Sequence, residues 1–201
     1  MKYWDDDMKR IVLLFLTAVT LLAMTACGNA RNTESKAVLN TKEATTVLVV
    51  YFSHTGKTKT MAEYLHSVVG GDIIELKPAK AYPVGYNAAL DPVKKEQQEK
   101  ARPKIMNQID NFANYKTVYL GYPIWWGTEP MLINTFLEAY NFNGKTIIPF
   151  CTSGGSGIAQ SILDIKKEVP QAKVLNGLRI SDEKDILPWL KQLGMPFKEG
   201  A

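Results

Sequence analysis

The chain has 201 residues, 46% hydrophobic and 22% charged, a balance that excludes a mainly disordered protein and suits one globular domain with a short surplus. Its net charge is only +4, the basic and acidic residues of 1–27 cancel, and no dense Lys/Arg stripe follows, which argues against a nucleic-acid partner. Two cysteines, Cys27 and Cys151, cannot build a disulfide framework or a zinc site, and two histidines, His54 and His66, leave no His-rich metal centre.

The surplus reads as an export signal. Ile11 to Met24 is a nearly unbroken apolar run, too short to span a bilayer comfortably but suited to a signal-peptide core. Lys9-Arg10 supply the positive charge before it, and Thr25-Ala26-Cys27 end it with small residues before a cysteine. That ending resembles a bacterial lipobox, with Met24 standing where leucine is usual. The resemblance implies acylation of Cys27 and an exported lipoprotein anchored at a bacterial membrane. A plain secretory signal and an apolar N-terminal helix are the alternatives. Asp5-Asp6-Asp7 are foreign to such a signal, and a start at Met8 reads better. Residues 28–45 are polar and read as a tether, 46–196 as the folded domain, and 197–201 as a frayed tail.

From residue 46 onward strands and helices alternate. Thr46–Phe52 is a β-branched apolar run, as a strand buried on both faces requires. Met61, Ala62, Leu65, Val68 and Val69 then fall at helical spacing over 58–69, stopped by Gly70-Gly71. Further strands are expected at 72–76, 117–122, 146–151 and, more weakly, within 172–180. Helices are expected at 129–140, 156–168 and 182–193. Asp91-Pro92 read as a helix cap and first turn opening a charged helix to Arg102, after a long loop. This alternation predicts an α/β fold with a parallel sheet and helices on both faces.

In such a sheet ligands bind at the carboxyl ends of the strands, which makes the loops there the informative ones. The first is Ser53-His54-Thr55-Gly56-Lys57-Thr58, leading into a helix. Successive N–H groups at a helix N-terminus bind an anion; the hydroxyls of Ser53, Thr55 and Thr58 add donors, and Gly56 admits close approach. Gly56-Lys57-Thr58 mimics the end of a nucleotide-binding P-loop, but Tyr51 stands where that motif needs glycine, and no G-x-G-x-x-G is present.

The segment from Val49 through Leu65 resembles the N-terminal signature of flavodoxins at every restricted position. Pro123-Ile124-Trp125-Trp126-Gly127 is similar to the first flavin-stacking loop of that family, and Thr152-Ser153-Gly154-Gly155-Ser156-Gly157 to the second. The resemblance spans 46–195 and implies a flavodoxin-like three-layer sandwich with a five-stranded parallel sheet in the order 2-1-3-4-5. It also implies FMN as cofactor and electron transfer as function. The implied flavin contacts are Ser53 to Thr58, Pro123 to Gly127, Thr152 to Gly155, and Gly157, with His54 acting through its backbone. Trp126 is the stacking candidate, since the family places that aromatic directly before a glycine, and Gly127 would let a peptide turn its carbonyl toward the flavin N5.

Each residue also has an ordinary reading: the Trp pair as core aromatics, the glycines as turns, Cys151 as a small apolar packer and His66 as a surface residue. A phosphoreceiver domain needs an acidic cluster where Ser53-His54 and Tyr122-Pro123 stand, and no histidine follows residue 66 to serve a hydrolase in the usual chain order. An empty, vestigial site stays open. So does the choice between an electron carrier, served by a redox partner protein or small-molecule donor, and an FMN-dependent NAD(P)H:quinone or small-molecule oxidoreductase. No aromatic lies between Thr152 and Gly157 to shield the outer flavin face, so it is expected to be open unless Tyr82 or Tyr86 covers it. The basic charge is also unlike the strong acidity typical of carrier flavodoxins. The carrier reading leads narrowly, because no nicotinamide-binding motif is visible.

Overall fold

The computed structural model describes residues 46–198, without the side chain of Tyr86. The export signal, the Met8 start, the tether and Cys27 lie outside the described residues.

Strand β1 (Val47–Tyr51) is buried from Leu48 onward, as its apolar run demands. It pairs in parallel with β2 (Asp72–Glu75) on one side and with β3 (Thr117–Pro123) on the other. Strand β3 pairs with β4 (Thr146–Thr152), and two short pieces, β5 (Lys173–Val174) and β6 (Leu178–Arg179), both run parallel to β4 at the far edge. The order is therefore 2-1-3-4-5, with β6 continuing the edge.

The broken edge has a local cause. The carbonyls of Lys145, Ile147 and Cys151 accept from Lys173, Leu175 and Ile180, so this side of β4 faces the edge strand. Between them stands Pro149, which has no N–H to give at that step. The edge chain detaches there, and Gly177 crosses so closely that a Cβ would stand 2.6 Å from the Pro149 carbonyl oxygen.

Side chains alternate across the sheet. Leu48, Val50, Leu120 and Ile147 pack on the face covered by α2 (Tyr86–Gln98), α3 (Met131–Ala139) and α4 (Ala159–Glu168). Val49, Tyr51, Tyr119 and Phe150 pack under α1 (Lys57–Val69) and α5 (Ile186–Leu193). Three layers result, with strand termini and their loops gathered at one end.

Four expectations need correction. Helix α2 starts at Tyr86 rather than Asp91 and carries Pro92 inside it. Proline there removes the bond to the Ala88 carbonyl, a cost of about 3 kcal/mol, but Ala89 and Val93 sit one turn apart in the core and their burial wins. The expected helix from 182 begins instead as a 3₁₀ turn, Glu183–Asp185, with Asp182 and Asp185 capping each other's backbone. His66 is half-buried rather than a surface residue, its Nε2 3.1 Å from the Gly71 carbonyl oxygen beyond the end of α1. The expected tail is also anchored at its start: Phe197 packs on the α1/α5 core and Lys198 donates to the Val68 carbonyl.

Candidate functional site

The loops after β1, β3 and β4 open onto one cleft of about 1230 Å³. On the first side the chain leaves β1, bends at Gly56 (φ +88°) and enters α1. No backbone N–H from Ser53 to Lys59 donates to an acceptor among the described residues. The Ser53 hydroxyl oxygen is buried with no hydrogen-bond partner. An unpaired buried hydroxyl costs on the order of 1–3 kcal/mol, which an acceptor from outside the protein would recover. The positive end of α1 points the same way, and Lys57 is the one Lys, Arg, Asp or Glu among the described residues lining the cleft.

The Thr58 and Thr152 hydroxyls share a 2.8 Å hydrogen bond that ties the first loop to the third. The hydroxyl that accepts keeps its own hydrogen free to donate onward. Along the third loop, a Cβ added at Gly154, Gly155 or Gly157 would meet nothing within 4 Å. At Gly154 and Gly155, which line the cleft, that space belongs to the cleft rather than to the protein's own packing.

The second loop is a tight turn. Trp125 and Thr128 exchange two backbone hydrogen bonds, of 2.9 and 3.2 Å, around Trp126 (φ +48°) and Gly127 (φ +86°). A tryptophan in the left-handed region costs roughly 1–2 kcal/mol and needs compensation. Helix α2 supplies it. Gln97 Nε2 donates to the Trp125 carbonyl (2.8 Å), Trp126 Nε1 donates to the Leu90 carbonyl (2.9 Å), and Lys94 Nζ lies 4.8 Å from the Trp126 ring centroid. The two tryptophans consequently differ. Trp125 is 3% exposed, edge-on to Phe52, His54 and Tyr82, whereas Trp126 is 49% exposed at the cleft wall.

Residues 46–193 match the family model for Flavodoxin. The chain belongs to the flavodoxin family. Among solved structures it is similar to two proteins assigned as flavoproteins. One, from Bacteroides eggerthii, is 38% identical (TM-score 0.68, covering 75% of this chain and 99% of that one). The other, from Bacteroides uniformis, is 32% identical (TM-score 0.67, covering 74% and 99%). A flavoprotein from Lactobacillus acidophilus, solved in complex with FMN, shares the fold at 24% identity (TM-score 0.62, covering 73% and 99%). No curated protein matches the chain.

In this flavodoxin the cleft is lined by His54, Thr55, Lys57, Pro123 to Gly127, and Thr152 to Gly155. Ser53, Gly56, Thr58 and Gly157 are not part of that lining; Gly56 and Gly157 are exposed and Thr58 is buried. The cleft also takes Ser156 from within the glycine loop, Thr60 and Met61 from α1, Leu90 from α2, and Ile180-Ser181 from beyond β6, none of which is among the implied contacts. Ile180 and Ser181 obey the same strand-terminus rule, applied to the weak fifth strand; Leu90 lies in a stretch that reads as loop. Tyr82 does not cover the cleft: its ring packs 5.1 Å from that of Trp125, and its hydroxyl donates to Glu96 (3.0 Å). Cys151 is fully buried, and burial pushes its thiol up to about 12, so it packs as a neutral apolar group.

Proposed function

We propose that the cleft binds one FMN non-covalently and that this flavodoxin uses it to pass single electrons between redox partners. The observation that carries this reading is the run of undonated N–H groups from Ser53 to Lys59 together with the unpaired Ser53 hydroxyl. These groups would hold the phosphate, with Lys57 adding charge. Trp126 would offer its ring face to the isoalloxazine, held in orientation by Leu90 and Lys94. The glycine loop at 153–155 would bring backbone N–H groups to the pyrimidine edge. FMN, when bound, supplies the redox chemistry; the chain contributes binding, orientation and electrostatics. The purified chain should be yellow, or turn yellow on addition of FMN at one equivalent. A protein that stays colourless and does not quench flavin fluorescence would overturn the proposal.

A second reading is favoured by a specific observation: with Tyr82 turned away and no aromatic in the glycine loop, neither covers the outer face of a flavin stacked on Trp126. If Tyr86, whose side chain lies outside the described residues, leaves that face open as well, the face suits hydride transfer from a stacked nicotinamide or to a quinone. Stopped-flow mixing of the FMN-loaded protein with NADH or NADPH, with and without a quinone, separates the two. Bleaching at catalytic rates selects the oxidoreductase. No bleaching by either, alongside full bleaching by dithionite, selects the carrier.

The reading also includes location. The lipobox-like Thr25-Ala26-Cys27 supports a lipoprotein held at a bacterial membrane through Cys27. Cys27→Ala should release the protein from membranes, and globomycin should make the precursor accumulate. A soluble cytoplasmic wild-type protein contradicts it.

A further inference from the structure

Beneath the Trp126–Gly127 turn lies a polar cluster that takes no part in lining the cleft. The Thr128 hydroxyl is 2.5 Å from Glu129 Oε2 and 3.0 Å from Asp164 Oδ2 on α4. Thr128 has one hydroxyl hydrogen, so it can donate to only one of these carboxyl oxygens. The other contact needs a hydrogen on a carboxyl group.

The surroundings decide which one carries it. Asp164 receives Gln160 Nε2 and Lys167 Nζ (3.1 Å), which hold it below the ordinary carboxylate range. Glu129 is 1% exposed, and among the described residues no Lys, Arg or His pairs with it. Facing it are the Asn134 amide of α3, the Tyr122 hydroxyl of β3, Asp164 of α4 and its own backbone N–H. Tyr122 is itself bonded to Ser161 (2.9 Å) and lies near the neutral Cys151 thiol of β4. Burial pushes Glu129 up to about 7, and the Asp164 charge adds to this.

Thr128 is also the residue that closes the turn on Trp125, so its side chain anchors the strained Trp126 from below. We propose that Glu129, Thr128 and Asp164 form a proton-held latch: protonated Glu129 fixes the turn in its flavin-receiving form, and loss of that proton to solvent releases it. Without the proton, two carboxylates converge on one hydroxyl, and the turn loses an anchor against its own backbone strain. The consequence rests on the FMN reading above: affinity for FMN should fall as pH rises through neutrality.

The test is fluorescence titration of FMN into the full chain at pH 6 and pH 8. For a group near 7 the protonated fraction falls from about nine-tenths to about one-tenth, so wild-type affinity should drop by about tenfold. The FMN phosphate titrates over part of this range in every variant alike, so the difference between variants is the quantity that decides. Glu129→Gln, locked without a proton, should bind at pH 8 about tenfold more tightly than wild type. Thr128→Val, which cuts the latch, should lose the Glu129-dependent pH effect and bind weakly at both pH values. The same pH response in wild type and both variants overturns the latch. If wild type binds no FMN at either pH, the FMN reading fails separately. The latch then stands or falls on the infrared carbonyl band of a protonated carboxylic acid: expected at pH 6, absent at pH 8 and missing from Glu129→Gln.

Discussion

Replacing Glu129 by glutamine should change the pH dependence of folding stability in a direction fixed by its burial. The carboxyl sits at about 4.5 when unfolded and about 7 when folded, because desolvation penalises its charged form. Between those values the native state holds a proton that the unfolded chain has given up, so stability falls as pH rises. The contribution is complete below about 4.5 and lost above about 7. At 1.36 kcal/mol per unit, the 2.5 units amount to about 3 kcal/mol. Glutamine keeps the shape and an amide donor for Thr128 or Asn134, and has nothing to titrate. Urea unfolding at pH 5 and pH 8 should therefore show Glu129→Gln gaining on wild type by roughly 2–3 kcal/mol across the interval. Other carboxylates titrate in both proteins, and subtraction removes them. A difference between the two that is the same at both pH values would refute the reasoning.

Trp125→Ala should cost about 3–5 kcal/mol by urea unfolding, because its ring is buried against Phe52 and Tyr82, while half-exposed Trp126→Ala should cost little and weaken FMN about two- to tenfold. Equal stability losses would reverse their assigned roles. Gly154→Ala should leave the urea midpoint unchanged or raised, since its Cβ meets nothing, yet impair FMN titration; unimpaired binding would place the flavin elsewhere. Lys145, 5% exposed, donates to the carbonyls of Phe112, Ala113 and Tyr115, so Lys145→Met should destabilise by about 3 kcal/mol. A neutral result would mean those carbonyls find other donors.

The sheet and the three cleft loops are legible in the sequence because each rests on local information: the apolar run at 47–52, the hydroxyl-rich turn before α1, and a Trp-Gly and a glycine loop directly after strands. What is not legible depends on neighbours far along the chain. Asp91-Pro92 makes a convincing helix start until Ala89 and Val93 are seen packed in the core, so Leu90, Lys94 and Gln97 cannot be tied to the turn beforehand. The broken edge follows from Pro149, whose missing N–H matters only once β5 and β6 are known to lie beside it. Nothing local marks Lys145 or Glu129, and only tertiary packing shows one donating to the 3₁₀ turn Phe112–Asn114 and the other buried beneath a loop.

The most direct test of the central claim compares FMN with riboflavin, which differs only by the phosphate that the Ser53–Lys59 cradle is argued to hold. Hydrogen bonds to a charged group are each about 1.5–3 kcal/mol, so even two of them amount to about 3 kcal/mol, or roughly a hundredfold or more in affinity. Titration of both flavins into the same protein should give at least that preference for FMN, reduced in Ser53→Ala. Equal affinities for the two flavins would contradict the phosphate site, and with it the placement of FMN in this cleft.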